Sequence, residues 1–237
     1  MSNLESKSVL IVGGSSGIGA ATAKAFVARG ANVTIASRSK LKLSATAVKI
    51  GGMVRTVVLD TKDAAALERF FADAGCFDHV VVSAAQTLSG PVRQLSLGDA
   101  YSAMDSKFWG AYHVARAVDI AGGGSLTFIS GFLSVRPGKT SVLQGAINAA
   151  LEALSRGLAL ELSPVRVNTV SPGLINTPMW SKMSEQARQT MFEDAAARLP
   201  AQRVGQAEDI ANAVIYLATT PFATGSTVLV DGGGAIA

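Results

Sequence analysis

The sequence predicts an α/β fold in which one doubly wound parallel sheet of seven strands carries helices on both faces. Short β-branched runs alternate with longer helical patterns along the chain, as in successive βαβ units with right-handed crossovers. The run Val80-Val81-Val82 is continuously apolar, which is typical of a strand covered on both faces. No internal repeat, low-complexity segment or linker interrupts the pattern, so residues 1–237 are expected to form a single domain.

Each element follows from a local pattern. Apolar, β-branched runs predict strands at residues 8–12, 33–36, 54–59, 77–82, 125–129, 165–170 and 227–230. Helical patterns predict helices at residues 16–29, 39–50, 64–74, about 99–121, about 142–162, 184–199 and 207–218. Gly30 and Gly75 are expected to end the first and third helices, and Asp63 to cap the third. Glu208 and Asp209 favour the start of the last helix.

Composition excludes several classes of protein. The 237 residues are 49% hydrophobic and 16% charged, which suits a compact globule that buries a substantial core. The net charge of +4 comes from scattered basic residues, whereas nucleic-acid binding requires a clustered basic face. The single cysteine, Cys76, excludes an internal disulfide and is compatible with a reducing cytoplasm. With neither an apolar N-terminal signal nor a run near the ~20 residues of a membrane span, a soluble cytoplasmic protein is expected.

A glycine-rich loop links the first predicted strand to the first helix. It reads Gly13-Gly14-Ser15-Ser16-Gly17-Ile18-Gly19. Glycines in this position allow a tight turn and a close approach of phosphate to the backbone, and the helix start offers free N–H groups to an anion. An ordinary βα turn is the alternative, but the strand before the loop and the helix after it favour a Rossmann-type dinucleotide site.

The end of the second strand predicts the identity of the cofactor. The segment Ala36-Ser37-Arg38-Ser39-Lys40 contains no acid that could bind the adenosine ribose hydroxyls. Arg38 can bind a ribose 2′-phosphate through two parallel hydrogen bonds, and Ser37 can add a hydroxyl. The segment therefore favours NADP(H) over NAD(H), although a solvated surface arginine is the alternative.

Several motifs together resemble the short-chain dehydrogenase/reductase family over essentially the whole chain. They are the spacing of Gly13, Gly17 and Gly19, the pair Asp60-Thr61, the run 166–173 (RVNTVSPG), the segment Arg203-Val204-Gly205 and the C-terminal Asp231-Gly232-Gly233. The resemblance implies the strand order 3-2-1-4-5-6-7 and a dinucleotide-binding oxidoreductase. Together with the loop and the second strand, it gives a set of expected cofactor-binding residues: Gly13, Ser15, Ser16, Gly17, Ile18, Gly19, Ser37, Arg38, Asp60, Thr61, Ser83, Ala84, Ala85, Asn148, Pro172, Gly173, Ile175 and Thr177.

The chain departs from the family at the chemistry. The family's four catalytic positions carry Asn, Ser, Tyr and Lys, and the resemblance places Lys107, Gly131, Gln144 and Asn148 there. Reduction of a ketone leaves an alkoxide that must gain a proton, and Gln144 has no titratable proton to give. Asn148 can still hydrogen-bond a nicotinamide ribose, but it lacks the charge that lowers a neighbour's pKa. The loss of a positioned acid is expected to reduce the usual rate by about 10²–10⁴.

Few other side chains could substitute for the missing proton donor. Lys107 could reach toward the site and donate a proton or a hydrogen bond, or it could extend to solvent or pair with an acid. The Ser130 side chain is expected to face away from the site, and Ser134 and Ser141 suit a turn or a cap. His113 is interpreted as a packing or surface residue, and Cys76 as structural.

Two regions bear on substrate and assembly. Residues 179–200 carry an apolar stripe of Trp180, Met183, Met191 and Phe192. The resemblance implies that this region forms a lid over the substrate, which could then be hydrophobic, and packing of the stripe onto the body is the alternative. The resemblance implies a homodimer or homotetramer built on the helices near 99–121 and 142–162.

Two functions stay open for the chain as a whole. One is an NADP(H)-dependent oxidoreductase with a non-standard proton relay and unknown substrate. The other is an inactive nucleotide-binding pseudoenzyme that acts as a sensor, regulator or partner subunit.

Overall fold

Seven of the strands form one parallel sheet in the computed structural model, which describes residues 4–237. In chain order the strands are β1 (Ser8–Val12), β2 (Asn32–Ser37), β3 (Arg55–Val58), β4 (Phe77–Val82), β5 (Ile120–Ile129), β6 (Arg166–Pro172), β7 (Ile175–Asn176), β8 (Gly205–Gln206) and β9 (Thr227–Val230). The order across the sheet is β3-β2-β1-β4-β5-β6-β9, while β7 and β8 pair separately. The expected order 3-2-1-4-5-6-7 is confirmed, with β9 as the seventh strand.

Helices cover both faces of the sheet. They are α1 (Gly17–Val27), α2 (Lys40–Ile50), α3 (Ala64–Ala74), α4 (Leu97–Met104), α5 (Gly110–Ala117), α6 (Val142–Glu161), α7 (Glu185–Arg198) and α8 (Ala207–Thr219). Two apolar clusters fill the layers. One joins the sheet to Phe26 of α1 and Ile210 of α8, and the other joins it to Leu67 of α3, Val114 of α5 and Leu151 of α6.

The helix signals at Asp63, Gly75 and Asp209 act as predicted, whereas α1 ends at Val27, three residues before Gly30. The Asp63 side chain accepts a hydrogen bond of 2.9 Å from the Ala66 amide, and Gly75 ends α3 with φ +72°. Asp209 accepts a hydrogen bond of 2.8 Å from the Gln206 amide and completes a capping box at the start of α8. Local side-chain chemistry therefore sets these boundaries.

The region from 99 to 129 differs from the prediction. The helical stretch ends at Ala117, and residues 120–124, expected to be the end of a helix and a turn, are the first half of β5. Ile120 pairs with Phe77 before the register shifts, and a β-carbon at Gly124 would lie 2.3 Å from the Asp78 carbonyl oxygen. The glycines that indicate a turn in the sequence instead let β5 approach β4 closely and irregularly.

A histidine of β4 is buried in the core. His79 is 6% exposed, its Nδ1 lies 2.9 Å from the Ser125 hydroxyl, and its ring stacks on Phe26 with centroids 6.0 Å apart. Burial lowers the pKa of His79 to about 4, and Arg166 and Lys7 act in the same direction against Asp78. The folded protein therefore holds this imidazole neutral at pH values where the unfolded chain binds a proton.

We expect this difference to make stability depend on pH. Neutral His79 contributes about 3 kcal/mol to the free energy of unfolding. This contribution is fully present above pH 6.5. It is lost as the pH falls toward 4, because only the unfolded chain gains a proton in that range. Urea unfolding at several pH values, compared between the wild type and His79→Asn, measures it. The variant should lose less stability than the wild type over this pH range. An equal pH dependence in both proteins would refute the assignment.

Candidate functional site

The candidate site lies at the carboxyl edge of the sheet, where β1, β4, β5 and β6 end side by side. The loop after β1 makes the tight turn that the glycine spacing predicts: Gly13 adopts φ +87° and Gly17 φ +52°. A β-carbon on Gly13 would lie 2.5 Å from the Ala84 amide nitrogen, and one on Gly19 would lie 2.3 Å from the Gly13 carbonyl oxygen. Only glycine fits these positions without displacing the backbone.

The start of α1 is suited to hold an anion. Ser16 precedes the helix, is exposed, and makes no side-chain capping bond. The first backbone hydrogen bond of the helix runs from the Ala20 amide to the Ser16 carbonyl, so the amides of Gly17, Ile18 and Gly19 have no acceptor within the helix. These amides carry the partial positive charge of the helix start and can bind phosphate oxygens. Ser15 differs, because its carbonyl accepts the Thr46 hydroxyl at 2.8 Å.

The segment after β6 reaches this loop. A β-carbon on Gly17 would lie 3.3 Å from Thr177 Cβ, so Thr177 borders the glycine loop. Pro172 ends β6, and a β-carbon on Gly173 would lie 2.6 Å from Asp231 Cα. Ile175 is 6% exposed and pairs with Gly205. The structure therefore brings this segment to the loop, with Thr177 rather than the buried Ile175 placed against it.

Arg38 lies at the end of β2 with few partners. It is exposed, and its Nη2 donates a hydrogen bond of 3.0 Å to Gln86 Oε1, in the segment after β4. The Ser37 hydroxyl is buried and has no hydrogen-bond partner within residues 4–237. A guanidinium free of any bonded acid and an unpaired hydroxyl can both bind a phosphate group at this edge.

The remaining expected cofactor residues line the neighbouring strand ends. The Ser83 amide and hydroxyl both donate to the Val12 carbonyl, at 2.9 and 3.2 Å, which ties the end of β4 to β1. Ala84 contacts the glycine loop and Ala85 is exposed beside it. Asp60 accepts the Lys62 amide at 3.1 Å, and Thr61 is buried.

Lys107 occupies an irregular turn of its helix. Residues Asp105–Trp109 form a π-helical turn between α4 and α5, and such turns are frequent at functional sites. Lys107 turns inward: its Nζ donates to Asn148 Oδ1 at 2.6 Å and to the Ser130 carbonyl at 2.7 Å. The structure therefore joins two of the four predicted catalytic positions by a direct hydrogen bond.

Burial perturbs this ammonium group. Removal from solvent lowers the pKa of Lys107 to about 8, and the negative charge of Glu152 opposes that change. A lysine with such a pKa exchanges protons near neutral pH, which an exposed lysine does not. Among Lys107, Gly131, Gln144 and Asn148, the predicted catalytic positions, Lys107 is therefore the one group that can titrate.

Gly131 and Asn148 fit each other. Asn148 is 3% exposed, and a β-carbon on Gly131 would lie 2.8 Å from its Nδ2. Because Oδ1 faces Lys107, the amide nitrogen must face Gly131. A serine at 131 would collide with Asn148 as it is placed here, so the replacements at 107, 131 and 148 depend on one another.

Gln144 supplies an amide at the start of α6. Its Nε2 donates to the Ser89 hydroxyl at 2.5 Å, while its Oε1 is buried without a hydrogen-bond partner within residues 4–237. A buried acceptor of this kind can receive a hydrogen bond from a ligand. It can orient a bound group but cannot release a proton.

Glu152 is the functional candidate that the sequence interpretation overlooked. It lies one helical turn after Asn148, is 8% exposed, and accepts hydrogen bonds of 2.8 Å from the hydroxyls of Ser130 and Ser134. The Ser130 hydroxyl thus bonds Glu152, while the carbonyl of the same residue bonds Lys107. The turn or cap role holds for Ser141, whose hydroxyl bonds the Gly138 carbonyl at 3.4 Å, but not for Ser134. The i to i+4 spacing of Asn148 and Glu152 was the available signal.

Other expected residues lie apart from this cluster. His113 bonds the Thr61 carbonyl at 3.0 Å and stacks on Trp109, which suits packing. The expectation of a structural role for Cys76 is wrong in that its side chain is exposed rather than packed. The Trp180 indole donates to the Ile175 carbonyl at 2.9 Å, and Phe192 lines an open cavity of about 520 Å³ beside α7. The apolar stripe thus combines packing with an open surface.

Two further observations concern the described range as a whole. None of the helices within residues 4–237 combines the length and apolar content that crossing a bilayer requires. No group of three His, Cys, Asp or Glu side chains in that range could hold a metal ion.

Comparisons with known proteins agree with this architecture. A family model described as enoyl-(acyl carrier protein) reductase matches residues 12–234. A short-chain dehydrogenase/reductase of Stachybotrys chlorohalonatus, ATR9, is 34% identical over 260 residues that cover 98% of this chain and 98% of that protein. A small-chain dehydrogenase solved in complex with NADPH has a TM-score of 0.83 at 33% identity, covering 98% of this chain and 100% of that one. A short-chain dehydrogenase/reductase from Brucella melitensis has a TM-score of 0.92 at 27% identity, and the match covers 99% of this chain and 98% of that one.

Proposed function

The chain belongs to the short-chain dehydrogenase/reductase family, and on this premise we propose that it is an NADP(H)-dependent oxidoreductase with a non-standard proton relay. The observation that carries the proposal is the Lys107–Asn148 hydrogen bond of 2.6 Å at the family's catalytic positions. A site that had merely lost its function would not be expected to keep a buried lysine with fitted partners at the end of β5 and on α6, since each buried polar group without a partner is destabilising.

The residues at the sheet edge suit the phosphates of NADP(H). The free amides of α1 and the exposed Ser16 hydroxyl would hold the pyrophosphate, and Arg38 with the unpaired Ser37 hydroxyl would hold the 2′-phosphate. A structural relative at 33% identity was solved with NADPH, which supports this cofactor class. When bound, NADP(H) supplies or accepts the hydride of the reaction.

Lys107 would supply either the proton that the tyrosine supplies elsewhere in the family or the positive charge that the family's lysine supplies. Its pKa of about 8 suits proton exchange near neutral pH, and Asn148 and the Ser130 carbonyl fix its ammonium in place. Gln144 would orient a polar group of the substrate through its unpaired Oε1. The apolar side chains around α7 are compatible with a hydrophobic substrate.

A pseudoenzyme is the second candidate. Gln144 cannot release a proton, and Lys107 already donates two of its three N–H bonds to the protein. In that case the chain would bind nucleotide as a sensor, regulator or partner subunit without turnover.

Calorimetric titration of the protein with NADPH and with NADH tests the cofactor assignment. We expect tighter binding of NADPH, and we expect Arg38→Ala to weaken NADPH binding by about 10- to 100-fold, the loss of one or two charge-assisted hydrogen bonds. NADH binding should change little. Lys40→Ala, which removes a nearby exposed charge, is the matched control. Equal losses for both cofactors would contradict the role of Arg38, and no binding of either would overturn the proposed function.

A panel of carbonyl and alcohol substrates then separates the enzyme from the pseudoenzyme. The proposal expects substrate-dependent change in NADPH absorbance that falls in Lys107→Ala and in Gln144→Ala. Folded, NADPH-loaded protein without turnover across a broad panel would instead favour the pseudoenzyme.

We also propose a cytoplasmic homodimer or homotetramer without nucleic-acid or membrane partners. Large apolar side chains are exposed on the π turn, on α4 and α5 and on α6, where the family resemblance implies subunit contacts: Tyr101, Trp109, Tyr112, Val142 and Leu160. Sedimentation equilibrium measures the assembly.

A further inference from the structure

Glu152 is a buried carboxylate that the proposed reaction does not yet use. It is 8% exposed, and its Oε1 accepts hydrogen bonds from two hydroxyls, those of Ser130 and Ser134, at 2.8 Å each. Within residues 4–237 no lysine or arginine forms a direct ion pair with it. Two neutral donors compensate only part of the free energy lost when a carboxylate leaves water, so a nearby positive charge is needed.

Lys107 supplies that positive charge, and Ser130 lies between its ammonium and the Glu152 carboxylate. The Ser130 carbonyl accepts the Lys107 ammonium at 2.7 Å, while the hydroxyl of the same serine donates to Glu152. The ammonium and the carboxylate are thus bonded to opposite ends of one residue in a buried region. Opposite charges in such surroundings attract more strongly than at the surface.

Helix α6 carries both Asn148, which accepts a hydrogen bond from Lys107, and Glu152, which supplies the nearby negative charge. Asn148 and Glu152 are separated by one turn of α6, so their side chains share the face that meets the sheet and the π turn. A small movement of this face would change both the hydrogen bond from Lys107 to Asn148 and the distance between the Lys107 ammonium and the Glu152 carboxylate. This coupling distinguishes Glu152 from a carboxylate that merely fills the core.

Other charged groups near the π turn are directed elsewhere. Asp105 of the same turn is exposed and lines a separate cavity with Lys62, Trp109 and His113. His113 of α5 bonds the Thr61 carbonyl, and Asp99 of α4 bonds the Ser96 hydroxyl. Among the elements packed against Lys107 in the described part of the chain, α6 therefore supplies the counter-charge.

We propose that Glu152 is a positioning residue that acts through Ser130 to keep Lys107 an ammonium in contact with Asn148. Its relevance to catalysis rests on the proposed function, whereas its effect on Lys107 does not. The carboxylate raises the proton affinity of a lysine that burial alone would neutralise more readily. Glu152 thus extends to higher pH the range in which Lys107 carries its charge.

The test follows the ionisation of Lys107 in the full chain without cofactor. Protein labelled with ¹³C at the lysine ε-carbon is titrated by NMR, and the Lys107 signal is identified by its absence in Lys107→Arg. We expect a midpoint near pH 8 in the wild type and a midpoint lower by about 1 unit in Glu152→Gln, which keeps the size of the side chain and removes its charge. Glu152→Asp, which withdraws the carboxylate from Ser130, should give a smaller decrease.

Matched variants separate this role from a structural one. Glu161→Gln removes a carboxylate from the exposed end of α6 and should leave the Lys107 midpoint unchanged. An unchanged midpoint in Glu152→Gln, with the remaining lysine signals at their wild-type positions, would overturn the proposal. If Glu152→Gln does not fold, the Glu152→Asp titration decides by the same criterion. Failure to bind NADPH would overturn the proposed function but would leave this result standing.

Discussion

Alanine at Gly13 is expected to impair both folding stability and nucleotide binding. Gly13 adopts φ +87°, which an L side chain rarely accepts, and a β-carbon there would lie 2.5 Å from the Ala84 amide nitrogen. The Ala84 amide belongs to the backbone and is not the flexible end of a side chain, so the glycine loop or the end of β4 must move. We expect the free energy of unfolding to fall by about 2–4 kcal/mol and NADPH binding to weaken by about 10- to 100-fold, as one or two phosphate contacts are lost.

Urea unfolding and calorimetric titration measure the two effects. Gly157→Ala is the matched control, since Gly157 is exposed on α6 with nothing within 4 Å of its added β-carbon. That change should stabilise the helix by about 0.5–1 kcal/mol and leave NADPH binding unaltered. Wild-type affinity in Gly13→Ala would show that the loop does not need its close contact with the end of β4.

Exchanging Lys107 and Asn148 is expected to be far better tolerated than changing Asn148 alone. Asn148→Lys places a second ammonium against Lys107 in a buried site, and we expect a loss of about 3–5 kcal/mol of stability. Lys107→Asn leaves the Ser130 carbonyl and Asn148 Oδ1 without their donor, which should cost about 1–3 kcal/mol. The exchanged protein keeps one ammonium and one amide, so the two changes should couple favourably by about 0.5–3 kcal/mol.

A double-mutant cycle measured by urea unfolding at one protein concentration determines the coupling. The control cycle exchanges Lys62 and Ser102, an exposed pair joined by a hydrogen bond of 3.0 Å, and should give a coupling near zero. A coupling near zero at 107 and 148 as well would contradict the interpretation that these replacements form one interdependent cluster. Turnover of any active substrate in the four proteins would show which arrangement supports proton transfer.

Fold prediction from this sequence succeeded where local chemistry acts within one element. Asp63 and Gly75 bound α3 through their own side chain and backbone, and the apolar run in β4 is buried on both faces as its composition requires. Residues 120–124 form a strand where the sequence predicts the end of a helix and a turn, because their strand conformation depends on pairing with β4. A glycine-rich stretch has no side-chain pattern of its own that could indicate such a pairing.

The site divides in the same way. The glycine loop, the helix start and the strand-end Arg38 are contiguous in sequence, so their spacing alone predicts a phosphate site. The cluster of Lys107, Ser130, Asn148 and Glu152 brings together side chains and a carbonyl from three elements up to 45 residues apart. No periodicity within a single element could show that Lys107 turns inward or that Glu152 faces Ser130.

By itself, the sequence determined the class of sheet, and it predicted the position of the nucleotide loop and the absence of the family's tyrosine and serine at positions 144 and 131. Only the tertiary structure decided that the replacements fit one another: Gly131 leaves room for the Asn148 amide, which accepts the Lys107 ammonium in turn. The physical reason is that turns and helix starts are encoded by neighbouring residues. The pKa of a buried lysine is instead set by groups that meet only when α6, β5 and the π turn pack together.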